Sequence, residues 1–213
     1  MKYLGTVLFL AACLSAAQSP QATQPPAAAP TPAAASAPAA STPAANTIDL
    51  AQLAALVKQQ FGDTFTIPAK FPTPMIIADF DGDGVPDIAI VADSKEPMPD
   101  SFAFKYEVSD PYHAYFGFGN PQVMSTFSAN PERAHDVLVI FGTEKEGWRA
   151  ATPKAKYVIM NLPFDSITVG RILVSKKKPP VFAIKAIESQ IMDSAVFWEA
   201  KKKRWRWEPG DAY

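Results

Sequence analysis

Asp79-Phe80-Asp81-Gly82-Asp83-Gly84-Val85-Pro86-Asp87 is a nine-residue stretch with carboxylates at positions 1, 3, 5 and 9 and glycines at positions 4 and 6. Calcium ions bind about six to eight oxygen atoms in a flexible geometry, and carboxylates on a tightly curled backbone can supply them. Four negative charges so close together repel one another unless a divalent cation lies among them. We therefore predict that one Ca²⁺ is bound by the side chains of Asp79, Asp81, Asp83 and Asp87 and by the carbonyl of Val85. The alternative is an acidic, solvent-exposed turn.

The residues around this stretch predict a loop between two strands. An EF-hand would have a glutamate at position 12 and a helix on each side, but position 12 is Ile90, and Pro72 and Pro74 precede the loop. Residues 75–78 and 88–91 are short apolar runs in which β-branched side chains are common, as is typical of strands. The sequence thus excludes an EF-hand and predicts a strand-loop-strand site.

Residues 78–91 resemble the calcium loop of the FG-GAP and VCBS repeat families. The resemblance implies that Ca²⁺ is held by the four aspartates and the Val85 carbonyl. Repeats of these families usually occur in series and build the blades of a propeller, but the chain has no D-x-D-G motif outside this loop and no internal repeat. We therefore expect a single motif of this type and no propeller.

The N-terminus is predicted to be an export signal, because Lys2 is followed by an apolar run over residues 4–14 that is too short to span a membrane. Two processing sites remain open. Cleavage before Gln18 would remove residues 1–17. Residues 10–13 resemble a lipobox, and cleavage there would remove residues 1–12 and leave Cys13 as a lipid-modified first residue. Either site predicts an extracytoplasmic protein, periplasmic or secreted, that contacts a membrane only through a possible lipid on Cys13.

Residues 18–46 consist almost entirely of Ala, Pro, Ser, Thr and Gln, and no charged residue occurs between Lys2 and Asp49. A segment of this composition cannot bury a core, so we predict a disordered tether. The remaining residues, 47–213, are enough for one domain with its own core.

The pattern after the tether predicts an α+β domain with a mainly antiparallel sheet and an N-terminal helix. Apolar residues recur at helical spacing over residues 50–61, with Asp49 suited to the N-cap and Gly62 to the C-terminal stop. Besides the strands that flank the calcium loop, six strands are predicted at 137–141, 156–160, 166–174, 181–187, 195–199 and 204–208.

Charge gives no reason to expect a nucleic-acid partner. The 20 Lys and Arg residues nearly balance the 21 Asp and Glu residues, for a net charge of −1. Residues 201–207 mix basic and aromatic side chains, as a nucleic-acid binder could. We favour a hairpin in which Trp205 and Trp207 face the core and Arg204 and Arg206 face water.

We predict no enzyme, because the chain lacks G-x-S-x-G and H-E-x-x-H motifs and has only two histidines. The predicted role is a calcium-binding structural or binding module of the cell envelope, whose partner is an unidentified envelope or extracellular ligand. The alternative is an extracytoplasmic enzyme or a carbohydrate-binding domain that uses the aromatic segment 102–127. We expect most aromatic residues of that segment to pack in the core.

Overall fold

A computed structural model of the chain describes residues 48–94, 99–118, 135–188 and 192–210. All of them belong to one compact unit, Asn46–Tyr213. The predicted export signal over residues 1–17, Cys13 and the predicted tether over residues 18–46 lie outside the described residues.

The N-terminal helix α1 spans Leu50–Phe61. It begins with a capping box, in which Asp49 Oδ1 accepts the Gln52 amide at 2.7 Å and Gln52 Oε1 accepts the Asp49 amide at 3.3 Å. It ends at Gly62, whose φ of 93° is unfavourable for residues with a Cβ. The predicted helix, N-cap and stop are confirmed.

Two short helices, α2 (Ser101–Phe104) and α3 (Pro111–Tyr115), follow later in the chain. None of the helices in the described ranges has both the length and the apolar character that crossing a bilayer would require.

In the described residues the first sheet has six strands: β1 (Phe65–Thr66), β2 (Met75–Ala78), β3 (Asp87–Ser94), β4 (Glu107–Ser109), β5 (His135–Phe141) and β6 (Ala155–Ile159). Strands β3 and β5 form its centre. One edge of β3 pairs with β1 and β2, and the rest of the order is β3-β5-β6-β4, with every pairing antiparallel except the parallel pair of β4 and β6.

The second sheet consists, in the described residues, of β7 (Ser166–Ile172), β8 (Val181–Glu188), β9 (Met192–Glu199) and β10 (Arg204–Pro209). These four strands form an antiparallel meander in the order β10-β9-β8-β7. Trp205 and Trp207 are buried whereas Arg204 is exposed, so the C-terminal hairpin has the alternation predicted for it.

In the described residues the two larger core clusters cover the two faces of the first sheet, and a third, small cluster is formed by Ala183, Ala195 and Phe197 of the second sheet. Between the two sheets, Val139 of β5 belongs to the same cluster as Ile184 of β8 and Trp205 of β10. On the opposite face, Leu138 of β5 belongs to a cluster with Phe61 of α1. Because both faces are covered, β3 and β5 are apolar along most of their length. The domain is α+β with a mainly antiparallel sheet, as predicted.

Candidate metal centre

The acidic loop, residues 79–87, connects β2 to β3 as a hairpin, with Ala78 paired to Asp87 at its base. Gly82 and Gly84 have φ values of 80° and 87°, in the region that strains residues with a Cβ. The predicted strand-loop-strand arrangement is therefore confirmed, and the backbone at both positions favours glycine.

The loop backbone curls around the carboxylate of Asp79. Asp79 Oδ1 accepts the amides of Gly82 at 2.8 Å and Asp83 at 3.0 Å, and Oδ2 accepts the Gly84 amide at 2.9 Å. Three amide dipoles thus stabilise one negative charge, and they hold the first aspartate at the inside of the turn.

Asp87, the first residue of β3, is 1% exposed and links the loop to the sheet. Its Oδ2 accepts the amides of Phe80 at 2.8 Å and Asp81 at 3.3 Å, while Oδ1 accepts the Gly142 amide at 2.8 Å. Burial raises the pKa of Asp87 to about 7; the Asp81 carboxylate adds to the rise, and the amide hydrogen bonds oppose it. A bound cation would favour its charged form.

Gly142 allows the chain after β5 to approach the loop closely. A Cβ at this position would lie 2.5 Å from the Pro86 carbonyl oxygen and 2.9 Å from Gly147 Cα. The contact between Asp87 and the Gly142 amide therefore depends on a residue without a side chain.

Three of the predicted ligands converge. One carboxylate oxygen each from Asp79, Asp81 and Asp87 lie within 4.8 Å of one another. Oxygens on opposite sides of a Ca²⁺ ion are separated by about 5 Å, twice the usual Ca–O distance, so this group fits around one ion. Carboxylate oxygens are hard donors, and Ca²⁺ prefers such oxygens to the thiolate and imidazole donors that bind softer metals.

The other two predicted ligands are placed differently. Asp83 lies outside the group of three; its Oδ1 accepts the Val85 amide at 2.9 Å, and its Oδ2 contacts Lys154. Val85 contributes its amide to this turn, and the calcium-binding role of its carbonyl stays a prediction.

Lys154 is the residue that sequence reasoning missed. Its Nζ lies 2.6 Å from Oδ2 of Asp81 and 2.6 Å from Oδ2 of Asp83. The hydrogen bonds to Asp81 and Asp83 raise the pKa of Lys154. Burial acts to raise the pKa of Asp83, but hydrogen bonds from Lys154 and the Val85 amide lower it overall.

The strand order explains how Lys154 reaches a loop some seventy residues earlier in the chain. In the two antiparallel ladders Ile88 of β3 faces Ile140 of β5, and Phe141 of β5 faces Ala155 of β6. The start of β3, the end of β5 and the start of β6 therefore lie side by side at the same end of the sheet. The Lys154 amide donates to the Phe141 carbonyl there at 3.0 Å.

The aromatic segment 102–127 is only partly in the core. Tyr106 is 4% exposed, but Tyr115, Phe116 and Phe118 are 51%, 53% and 57% exposed, and Phe102 is almost fully exposed. The expectation of core packing is therefore wrong for these four residues, because Phe102 on α2 and the other three, on or just after α3, face solvent. Residues 119–127 of the segment lie outside the described residues.

The two histidines are in different places. His113 Nδ1 lies 2.6 Å from Oδ2 of the buried Asp110, and His135 Nδ1 hydrogen-bonds Asp93. A cavity beside α1 contains neither histidine; its lining residues are Ile48, Gln52, Ala55, Leu56, Gln59, Trp148 and Arg149.

Comparison of the chain with protein-family models, with curated proteins and with solved structures finds no match. The resemblance of residues 78–91 to FG-GAP and VCBS calcium loops stays a prediction from the motif.

Proposed function

We propose that this chain is an exported calcium-binding module of the cell envelope, with a structural or binding role, in which the β2–β3 loop holds one Ca²⁺. The observation that carries the proposal is the convergence of oxygens from Asp79, Asp81 and Asp87 within 4.8 Å. Mass spectrometry of the native N-terminus, which distinguishes a lipid-modified Cys13 from a free Gln18, tests the export part of the proposal.

Calcium at this position would strengthen the fold. Asp87 belongs to β3 and also accepts the Gly142 amide after β5, so an ion on its carboxylate would act on both central strands. A structural role is favoured over catalysis because the aspartates that the two histidines contact, Asp110 and Asp93, are not carboxylates of the loop.

The direct test is calorimetric titration of the purified protein with Ca²⁺. We expect one site, and we expect Asp81→Ala to raise the Kd on the order of 30-fold, equivalent to about 2 kcal/mol, because it removes a charged ligand. Asp63→Ala is the matched control, since this aspartate has a 78% exposed side chain and pairs with Lys58 on the surface. Equal affinity of wild type and Asp81→Ala would refute the site.

A second candidate function is carbohydrate binding by the exposed rings of α3 and the residues after it. Tyr115 and Phe116 present large rings to solvent, and both pack on Trp207, with ring centroids 4.9 Å and 5.9 Å from it. Rings that are rigidly supported and exposed suit stacking on sugar faces.

Affinity electrophoresis in gels that contain soluble cell-wall polysaccharide tests this second function. The wild type should be retarded, and Tyr115→Ala with Phe116→Ala should restore free mobility because the stacking surface is lost. Phe102→Ala, which removes an exposed ring on α2, should leave the retardation intact. Equal mobility of all three proteins with and without polysaccharide would exclude the surface.

A further inference from the structure

The side chain of Lys154 places a positive charge against the acidic loop. The Lys154 ammonium contacts Oδ2 of both Asp81 and Asp83, at 2.6 Å each. The Asp81 side chain is only 6% exposed, whereas that of Lys154 is 47% exposed. The contact is thus a charged hydrogen bond to a largely buried carboxylate, made by a side chain that still reaches solvent.

The remaining carboxylates are stabilised in another way. Asp79 and Asp87 each accept three backbone amides. Asp81 and Asp83 accept one amide each, from Asp83 at 3.2 Å and from Val85 at 2.9 Å. The carboxylates with the fewest amide partners are therefore the two that Lys154 contacts.

We propose that Lys154 is an intramolecular counter-ion that competes with Ca²⁺ for Asp81 and Asp83 and so sets the calcium affinity of the loop; this rests on the proposed calcium-binding function. Before calcium binds, the lysine offsets part of the repulsion among the four carboxylates. When Ca²⁺ binds Asp81, it meets an ammonium group on the same carboxylate. The two cations repel each other, so the ammonium must leave or the ion binds less tightly.

Lys154 can leave without disturbing the sheet. It precedes β6, and its backbone amide is held by the Phe141 carbonyl while its side chain remains half-exposed. A lysine carries its charge on a flexible four-carbon stem, so the ammonium can move into water while the backbone stays in place. Competition of this kind moves the Kd towards about 10⁻⁴–10⁻³ M, the range of calcium modules that work outside cells.

The experiment compares Lys154→Met with Lys145→Met. Lys145 is an exposed lysine in the same connection between β5 and β6, so both variants lose one positive charge from one segment. By calorimetry, Lys154→Met should bind Ca²⁺ about tenfold more tightly than wild type, a change of about 1.4 kcal/mol. Lys145→Met should stay within about twofold of wild type, and Lys154→Arg, which keeps the charge, should stay near it too.

A second readout follows the lysine itself. The side-chain carbon signals of Lys154, assigned by their loss in Lys154→Arg, should shift on titration of the wild type with Ca²⁺. In a chelator, Lys154→Met should melt at a lower temperature than Lys145→Met, because the loop has lost its counter-ion. If the variant does not fold without calcium, refolding in Ca²⁺ should restore its melting transition.

The outcomes separate the two proposals. If wild type binds Ca²⁺ and Lys154→Met binds it with the same Kd, or if the Lys154 signals do not respond to saturating Ca²⁺, the counter-ion role is wrong while the calcium site stands. If neither protein binds Ca²⁺, both proposals fail. Binding by Lys154→Met but not by wild type would overturn the proposed calcium function of the natural protein, because the lysine would then block the site instead of setting its affinity.

Discussion

Removal of Ca²⁺ with a chelator should lower the melting temperature of the purified protein by roughly 5–10 °C relative to a sample at 100 times the Kd. An ion that binds only the folded state adds RT ln(1 + [L]/Kd) to the free energy of unfolding, or about 2.7 kcal/mol at that concentration. One kcal/mol shifts the melting temperature of a domain of this size by about 2–4 °C. Scanning calorimetry measures the shift, and readdition of Ca²⁺ should reverse it.

Two controls make this result specific. Asp81→Ala should melt at nearly the same temperature with and without Ca²⁺, because it has lost a ligand. Mg²⁺ should replace Ca²⁺ poorly in the wild type, since it requires a smaller octahedral shell and releases water reluctantly. Unchanged melting on chelation, together with the loss of a measurable turnover, would favour the enzyme alternative over a structural ion.

Features that depend on local sequence were predictable. The spacing over residues 50–61, together with Asp49 and Gly62, predicts α1 because capping and periodicity act within one or two turns. The loop between β2 and β3 was predictable for the same reason, since its glycines and flanking apolar runs are adjacent in the chain. Gln52, the second member of the capping box, was missed, and so were the short helices α2 and α3.

Features that depend on strand order were not predictable. No local pattern indicates that β4 pairs in parallel with β6, or that the start of β6 lies beside the start of β3. The spacing of the loop predicts four carboxylates around one ion, but it gives no sign that Lys154, from the connection between β5 and β6, contacts Asp83. The exposed rings of Tyr115 and Phe116 were misjudged because an aromatic side chain does not by itself indicate which surface will cover it.

Asp87→Ala should lower the free energy of unfolding by about 2–4 kcal/mol even in a chelator, and should also weaken Ca²⁺ binding strongly. The substitution leaves three amides, those of Phe80, Asp81 and Gly142, without their acceptor at a position that is 1% exposed. Unpaired buried donors and a new cavity are among the few causes of losses this large.

Asp87→Asn separates the two effects of that substitution. The amide keeps the size of the side chain and one acceptor oxygen, so in a chelator it should retain part of the stability that Asp87→Ala loses, while the missing charge should still weaken Ca²⁺ binding. Urea unfolding of both variants beside Asp63→Ala, whose exposed aspartate should cost less than about 0.5 kcal/mol, measures the stability terms. If Asp87→Ala unfolded at the same urea concentration as Asp63→Ala, the carboxylate would not connect the loop to the central strands, and calcium bound there could not stabilise them through Asp87.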